Sequence, residues 1–208
     1  MGDPRFKHPF TCIVAGPTGC GKSQFVARLL RTKESTITPV PDRVVFHYAE
    51  WQPLYERLEN FVEFRQGLPD VDSFDPRQKN LLVLDDAMGV LDKKKIASLF
   101  TEKSHHRNLS VIYVVQNLFE KGPESRTVGL NAHYLVVFKN PRDASQISHL
   151  ARQMYPGRGK YVQEAFAHAT SKPYGYLLVD ARQETPEHLR LRTKIFPGEL
   201  QVVYVRKV

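Results

Sequence analysis

The segment Gly16-Pro17-Thr18-Gly19-Cys20-Gly21-Lys22-Ser23 fits the phosphate-loop pattern G-x-x-x-x-G-K-[ST] at every fixed position and constrains the fold more tightly than anything else in the chain. With average residue usage, such a match arises by chance in roughly one chain in a hundred of this length. The flanking residues suit it. Phe10 to Ala15 (FTCIVA) is an apolar run of strand length, and Gln24 to Leu30 (QFVARLL) carries apolar residues at helical spacing. A loop at that junction turns successive N–H groups inward, and the helix behind it presents about half a positive charge, so an anion is the expected occupant. Gly16, Gly19 and Gly21 supply backbone angles closed to other residues. Lys22 is expected to bridge β- and γ-phosphates, and Ser23 to place its hydroxyl on Mg²⁺.

Downstream of the loop, strand-like and helix-like runs alternate without a repeat, a low-complexity segment or a clear domain boundary. Strands are expected over 43–50, 60–64, 80–86, 110–116, 133–140, 174–181 and, at an edge, 201–206. Helices are expected over 24–30, 51–58 (opened by Pro53), 93–104, 143–154 (Asp143 at its start) and 160–169, with a surface loop over 67–77. This alternation predicts an α/β fold built on a mostly parallel sheet flanked by helices. At 208 residues with 41% apolar content, one domain is expected, its core over about 8–155 and a helix-and-strand extension over about 156–208.

In a parallel sheet, ligands bind at the carboxyl ends of the strands. Asn80-Leu81-Leu82-Val83-Leu84-Asp85-Asp86 reads as a strand buried on both faces that ends in acid at that edge. Asp85 is expected to hold Mg²⁺ together with Ser23, and Asp86 to orient or deprotonate an attacking water. Gln116 closes the strand Val111-Ile112-Tyr113-Val114-Val115 at the same edge, where a neutral amide can hydrogen-bond the water or the γ-phosphate.

The formal charge of +8 and an isoelectric point near 9.5 favour a polyanionic partner such as nucleic acid. Cys12 and Cys20 are the only cysteines, which argues against a disulfide framework and fits a reducing compartment. Cys20 has two readings, a thiol of lowered pKa beside a helix N-terminus or the filler of a variable loop position. No apolar run reaches the ~20 residues that span a bilayer, the N-terminus lacks a signal-peptide core, and the myristoylation pattern fails at position 6, so a soluble protein is expected.

Taken in order, GPTGCGKS, LLVLDDA, HHRNLSVIYVVQN, then Arg126 followed by NAHYLVVFKNPRD, the chain resembles the genome-packaging ATPases of large and mid-sized eukaryotic DNA viruses and related integrated elements, the poxvirus-like packaging branch of the FtsK-HerA superfamily. The resemblance covers roughly residues 8 to 155. It implies a RecA-like core with strand order 5-1-4-3-2 and an additional-strand catalytic arrangement. It also implies a homo-oligomeric ring of five or six subunits around double-stranded DNA, a capsid or portal partner, and action at an intracellular viral assembly site. Lys22 and Ser23 then bind ATP and magnesium, Asp85 and Asp86 form the acidic pair, and Gln116 is the polar sensor. Many relatives in the wider superfamily carry glutamate where Asp86 stands, whereas viral members of the packaging branch tolerate the Asp-Asp pair.

Ring ATPases complete their sites with an arginine from the neighbouring subunit. Arg126 lies where the resemblance places one; Arg142, in Asn140-Pro141-Arg142-Asp143, competes with it, and Arg152 is a third option. Lys93, Lys94, Lys95, Lys103 and Arg107 flank one expected helix and are candidates for holding DNA phosphates without reading sequence, the plainer reading being a solvated helix face. His105-His106 lacks the spacing of a metal site. Pro156-Gly157-Arg158-Gly159-Lys160 is a basic turn that either touches DNA or connects two helices. Two other functions suit a phosphate loop: a nucleotide or nucleoside kinase, for which no Arg-rich lid is evident, and a nucleotide-dependent assembly switch.

Overall fold

The computed structural model describes residues 2–67, 69–85, 93–104, 107–119 and 122–206. In chain order the elements are β1 (Phe6–Lys7), β2 (Thr11–Ala15), α1 (Lys22–Arg31), α2 (Lys33–Thr36), β3 (Ile37–Thr38), β4 (Arg43–Tyr48), a 3₁₀ helix (Pro53–Leu58), β5 (Glu63–Gln66) and β6 (Asn80–Asp85). Then follow α3 (Lys93–Ser98), widening into a π turn over Leu99–Lys103, β7 (Leu109–Val115), α4 (Pro123–Leu130), β8 (Tyr134–Phe138), α5 (Ser145–Met154), α6 (Lys160–Ala169), β9 (Tyr176–Asp180), β10 (Leu191–Thr193) and β11 (Val202–Val203).

Among the described residues, nine strands form one sheet in the order β11-β10-β9-β8-β2-β7-β6-β4-β5. The stretch from β8 to β5 is parallel, and β9, β10 and β11 join antiparallel. Numbered in chain order among themselves, β2, β4, β6, β7 and β8 stand as 5-1-4-3-2 across the sheet. Strands β2, β6, β7 and β8 are buried along their whole length, because each is covered on both faces. One core lies under α3 to α6 and includes Ile13, Leu82, Val111, Val137, Ile147 and Val162. The other lies under α1, the 3₁₀ helix and the β1–β3 ribbon and includes Val14, Phe25, Leu29, Phe46, Val83 and Val136. No helix among the described residues is long and apolar enough to cross a membrane.

Several boundaries differ from the sequence reading for local reasons. The expected 51–58 helix is a 3₁₀ helix, and the strand expected over 60–64 is Glu63–Gln66, because Phe61 and Val62 first close the turn onto the Leu58 carbonyl. The helix expected from Asp143 begins at Ser145 with Ala144 as its N-cap and no side-chain cap; Asp143 lies one residue earlier, its carboxylate accepting from the Ser145 N–H at 3.1 Å in the turn that leads in. The edge strand expected over 201–206 is the two-residue β11. Strand β10 and helix α4 have no counterpart in that reading.

Candidate functional site

The phosphate loop leaves β2 at the carboxyl edge of the parallel strands and enters α1 without a side-chain cap, so the first-turn N–H groups stay directed at whatever the loop encloses. Gly21, immediately before α1, has φ +109°, a region that penalises any residue bearing a Cβ. At Gly16 the constraint is steric: a Cβ there would lie 2.6 Å from Cys20 Sγ and 2.7 Å from Phe138 Cβ. The thiol of Cys20 thus packs against the start of the loop, and burial raises its pKa, which corrects the reading of a lowered thiol and leaves the structural one. The Lys22 ammonium is drawn over the loop by the carbonyls of Gly16 at 2.6 Å and Pro17 at 3.0 Å.

Strand β6 ends beside this loop. Asp85, its last residue, is 3% exposed, and its Oδ2 lies 3.5 Å from Ser23 Oγ. The same oxygen accepts a 2.7 Å hydrogen bond from Tyr55 Oη. Tyr55 is itself buried in an aromatic cluster, with ring centroids 4.9 Å from Phe46, 5.3 Å from Phe64 and 5.5 Å from Trp51. The 3₁₀ helix therefore aims a rigid phenol at the carboxylate and leaves little freedom for its rotamer.

Lys22, Ser23, Asp85 and Gln116 line one cleft of about 330 Å³, together with Gln52, Leu54 and Tyr174. Gln116 sits exposed just beyond β7. Ser23 and Asp85 offer hard oxygen donors close enough to share one divalent cation, directly or through water. The cleft thus joins an anion cradle, an ammonium, a carboxylate beside a hydroxyl, and a neutral amide, which is a donor set for a metal-bound polyphosphate. Tyr55 and Tyr174 escaped the sequence reading. Aromatic residues far from Asp85 and the loop in sequence carry no local mark of facing them.

Of the remaining expected site residues, some fall outside the described residues and the described ones do not line the cleft. Asp86 falls outside the described residues, as do His105 and His106, and the side chain of Lys103 is likewise not described. Arg126 is exposed on α4 and Arg142 on the loop before α5, and neither lines the cleft. Lys93, Lys94 and Lys95 are exposed along α3. Arg107 pairs with Asp72 at 2.6 Å.

The sequence matches no protein-family model and no curated protein. Solved structures do match along nearly the whole chain. The genome packaging NTPase B204 from Sulfolobus turreted icosahedral virus 2, in complex with AMPPCP, superposes with a TM-score of 0.59 at 12% identity, covering 99% of this chain and 100% of that one. This chain shares its fold with viral genome-packaging NTPases. The DNA-packaging ATPase B204 from Sulfolobus turreted icosahedral virus gives 0.54 at 11% identity, over 97% and 99% of the two chains. The KaiC-like protein PH0186 from Pyrococcus horikoshii OT3 gives 0.51 at 15% identity, over 96% and 91%. Identities this low carry the fold and leave the chemistry to the residues.

Proposed function

We propose that this protein is an ATP-hydrolysing motor that drives double-stranded DNA into a preformed capsid, working as a homo-oligomeric ring. The observation that carries the reading is the single cleft joining Lys22, Ser23, Asp85 and Gln116 at the carboxyl edge of the sheet. Support comes from the solved packaging NTPases that share the fold, one of them bound to an ATP analogue, and from the net charge of +8.

In this reading the loop amides and Lys22 take the β- and γ-phosphates, and Ser23 and Asp85 hold magnesium. A bound magnesium ion neutralises charge on the phosphate oxygens. Tyr55 fixes the carboxylate that must meet the ion, and Gln116 contacts the attacking water or the γ-phosphate. Asp86, next to Asp85 in sequence, is assigned the water. The exposed Arg126 is assigned to the cleft of the adjoining subunit, with Arg142 the second choice; a guanidinium supplied in this way raises turnover by about 10³ to 10⁵. The exposed lysines of α3, with Lys103 and Arg107, are assigned to DNA phosphates.

Steady-state ATP turnover, with and without long duplex DNA, tests the proposal. The motor predicts stimulation by duplex that fades steeply with salt. Transfer of phosphate to a nucleoside without any effect of DNA would identify a kinase, and tight ATP binding with negligible turnover would identify an assembly switch. Arg126→Ala should bind ATP normally and regain turnover when mixed with Lys22→Ala subunits, because each supplies what the other lacks; failure of that rescue removes Arg126 as the finger.

A further inference from the structure

A second cleft opens on the other flank of the phosphate loop. It has a volume of about 500 Å³ and lies between Pro17–Cys20, the residues after β8 (Lys139 and Pro141) and the turn Thr170–Gly175 that leads into β9. Tyr174 lines this cleft and the catalytic one, so its ring stands where the two meet. The residue is 71% exposed and has φ +63°, an unusual conformation for a residue with a side chain. The turn is closed by the Gly175 N–H on the Lys172 carbonyl at 3.1 Å and the Ser171 N–H on the His168 carbonyl at 3.3 Å. The Tyr174 ring occupies room left by Gly21: a Cβ there would lie 3.2 Å from Tyr174 Cδ1. The chain thus holds a large flat ring in solvent at the entrance to α1, in a strained backbone conformation, without burying it.

A nucleotide with its phosphates on the loop amides turns its γ end toward Asp85 and Gln116, so its ribose and base must leave by another route. The second cleft begins at Gly19 and Cys20 of the same loop and carries an aromatic face with Lys139 and Lys172 beside it. We infer that this cleft receives the nucleoside half of the ligand and that Tyr174 is the platform on which the base stacks. The inference rests on the nucleotide reading of the phosphate loop and adds the ligand's other end to it. Because stacking uses the π face that every base has, discrimination among bases is modest, with purines favoured by their larger area.

The test compares two probes on the 208-residue chain: a non-hydrolysable ATP analogue, and inorganic tripolyphosphate, which has no base. Tyr174→Ala should weaken the analogue about tenfold, the scale of a lost stacking partner. Tyr174→Asn removes the ring with a residue that tolerates positive φ, and should weaken it equally. Tyr174→Phe should stay within about twofold of the unmodified protein, and tripolyphosphate should bind all four proteins alike. Unchanged analogue affinity in the Ala and Asn variants overturns the stacking role. Equal loss for both probes overturns it too, since the ring would then be shaping the loop. If neither probe binds the unmodified protein, the nucleotide reading itself falls, and this inference with it.

Discussion

The two edges of the sheet bury their charges for opposite ends. At the carboxyl edge of the parallel strands, Asp85 meets a phenol and a serine hydroxyl beside an open cleft. At the other edge Asp180, the last residue of the antiparallel β9, is enclosed by protein groups: Arg192 at 3.1 Å, Thr185 Oγ1 at 2.8 Å and the Arg182 N–H at 3.2 Å. Arg192 is 1% exposed and also donates to the Pro4 carbonyl, while Arg182 donates to the Lys7 carbonyl at 2.7 Å and Tyr134 Oη accepts from the Lys7 N–H at 3.0 Å. The lower edge is thus a clasp that ties the N-terminal segment to β9 and β10. Burial alone does not mark a functional acid; an unfilled cleft beside it does.

The comparison is tested most severely at the clasp. Arg192→Leu leaves the Asp180 carboxylate buried without its cation and should destabilise the fold by about 3 to 5 kcal/mol, read as a lower urea midpoint. Adding Asp180→Asn should restore much of the loss. Protein that remains folded should bind the ATP analogue as before. Lost nucleotide affinity at an unchanged midpoint would mean that the two edges are not separate.

At the cleft the pattern should invert. Asp85→Asn keeps the shape and removes the charge, so turnover should fall by at least about a hundredfold, some 2.7 kcal/mol of barrier, while the urea midpoint stays level or rises. A variant that turns over ATP normally would take Asp85 out of the site.

A finer distinction lies between the carboxylate and what aims it. Tyr55→Phe keeps the ring in its aromatic cluster and deletes the hydroxyl that holds Asp85. The magnesium concentration needed for half-maximal turnover should rise about tenfold, as should the dissociation constant for Mn²⁺ measured by its spin-resonance signal with nucleotide bound. Stability should drop by only about 1 kcal/mol. An unchanged metal requirement with the same loss of stability would make Tyr55 a core residue and nothing more.

The same contrast governs what could be read before folding. The loop, the Asp85 strand and Gln116 were legible because a buried parallel strand is a continuous apolar run, and a polar residue at its end falls on the ligand edge by topology. Strand β10 was not, since Leu191-Arg192-Thr193 places a cation where the core expects a hydrocarbon, and only the distant Asp180 makes that tolerable. Helix α4 hid because PESRTVGL buries only Val128. Tyr55 and Tyr174 act through contacts made across the fold, and periodicity carries no trace of those.

The smallest expected effect concerns pH. His8, next to the clasp, takes a 2.6 Å hydrogen bond with Ser110 Oγ on Nδ1 and a 3.0 Å one with Asn108 Oδ1 on Nε2. An Nε2–H tautomer satisfies both, with Ser110 donating to Nδ1; protonation of Nδ1 would reverse that bond, the hydroxyl turning to accept, and its cost is the burial of a charge. Burial holds the pKa of His8 below its ordinary 6.5, and His47, bonded to the Gly67 carbonyl at 2.8 Å, is lowered for the same reason. A depressed pKa means that the unfolded chain binds more protons just below 6.5, so the stability these rings contribute is complete above that pH and is lost as pH falls toward their folded values, at about 1.4 kcal/mol per unit of displacement. Asp180 has the opposite sense: burial raises its pKa, so its share of stability declines as pH rises. The clean reading is therefore a difference: between pH 7.5 and 5.5 the urea midpoint of His8→Gln should fall less than that of the unmodified chain. Parallel slopes for the two proteins would show that His8 does not titrate with folding in this range.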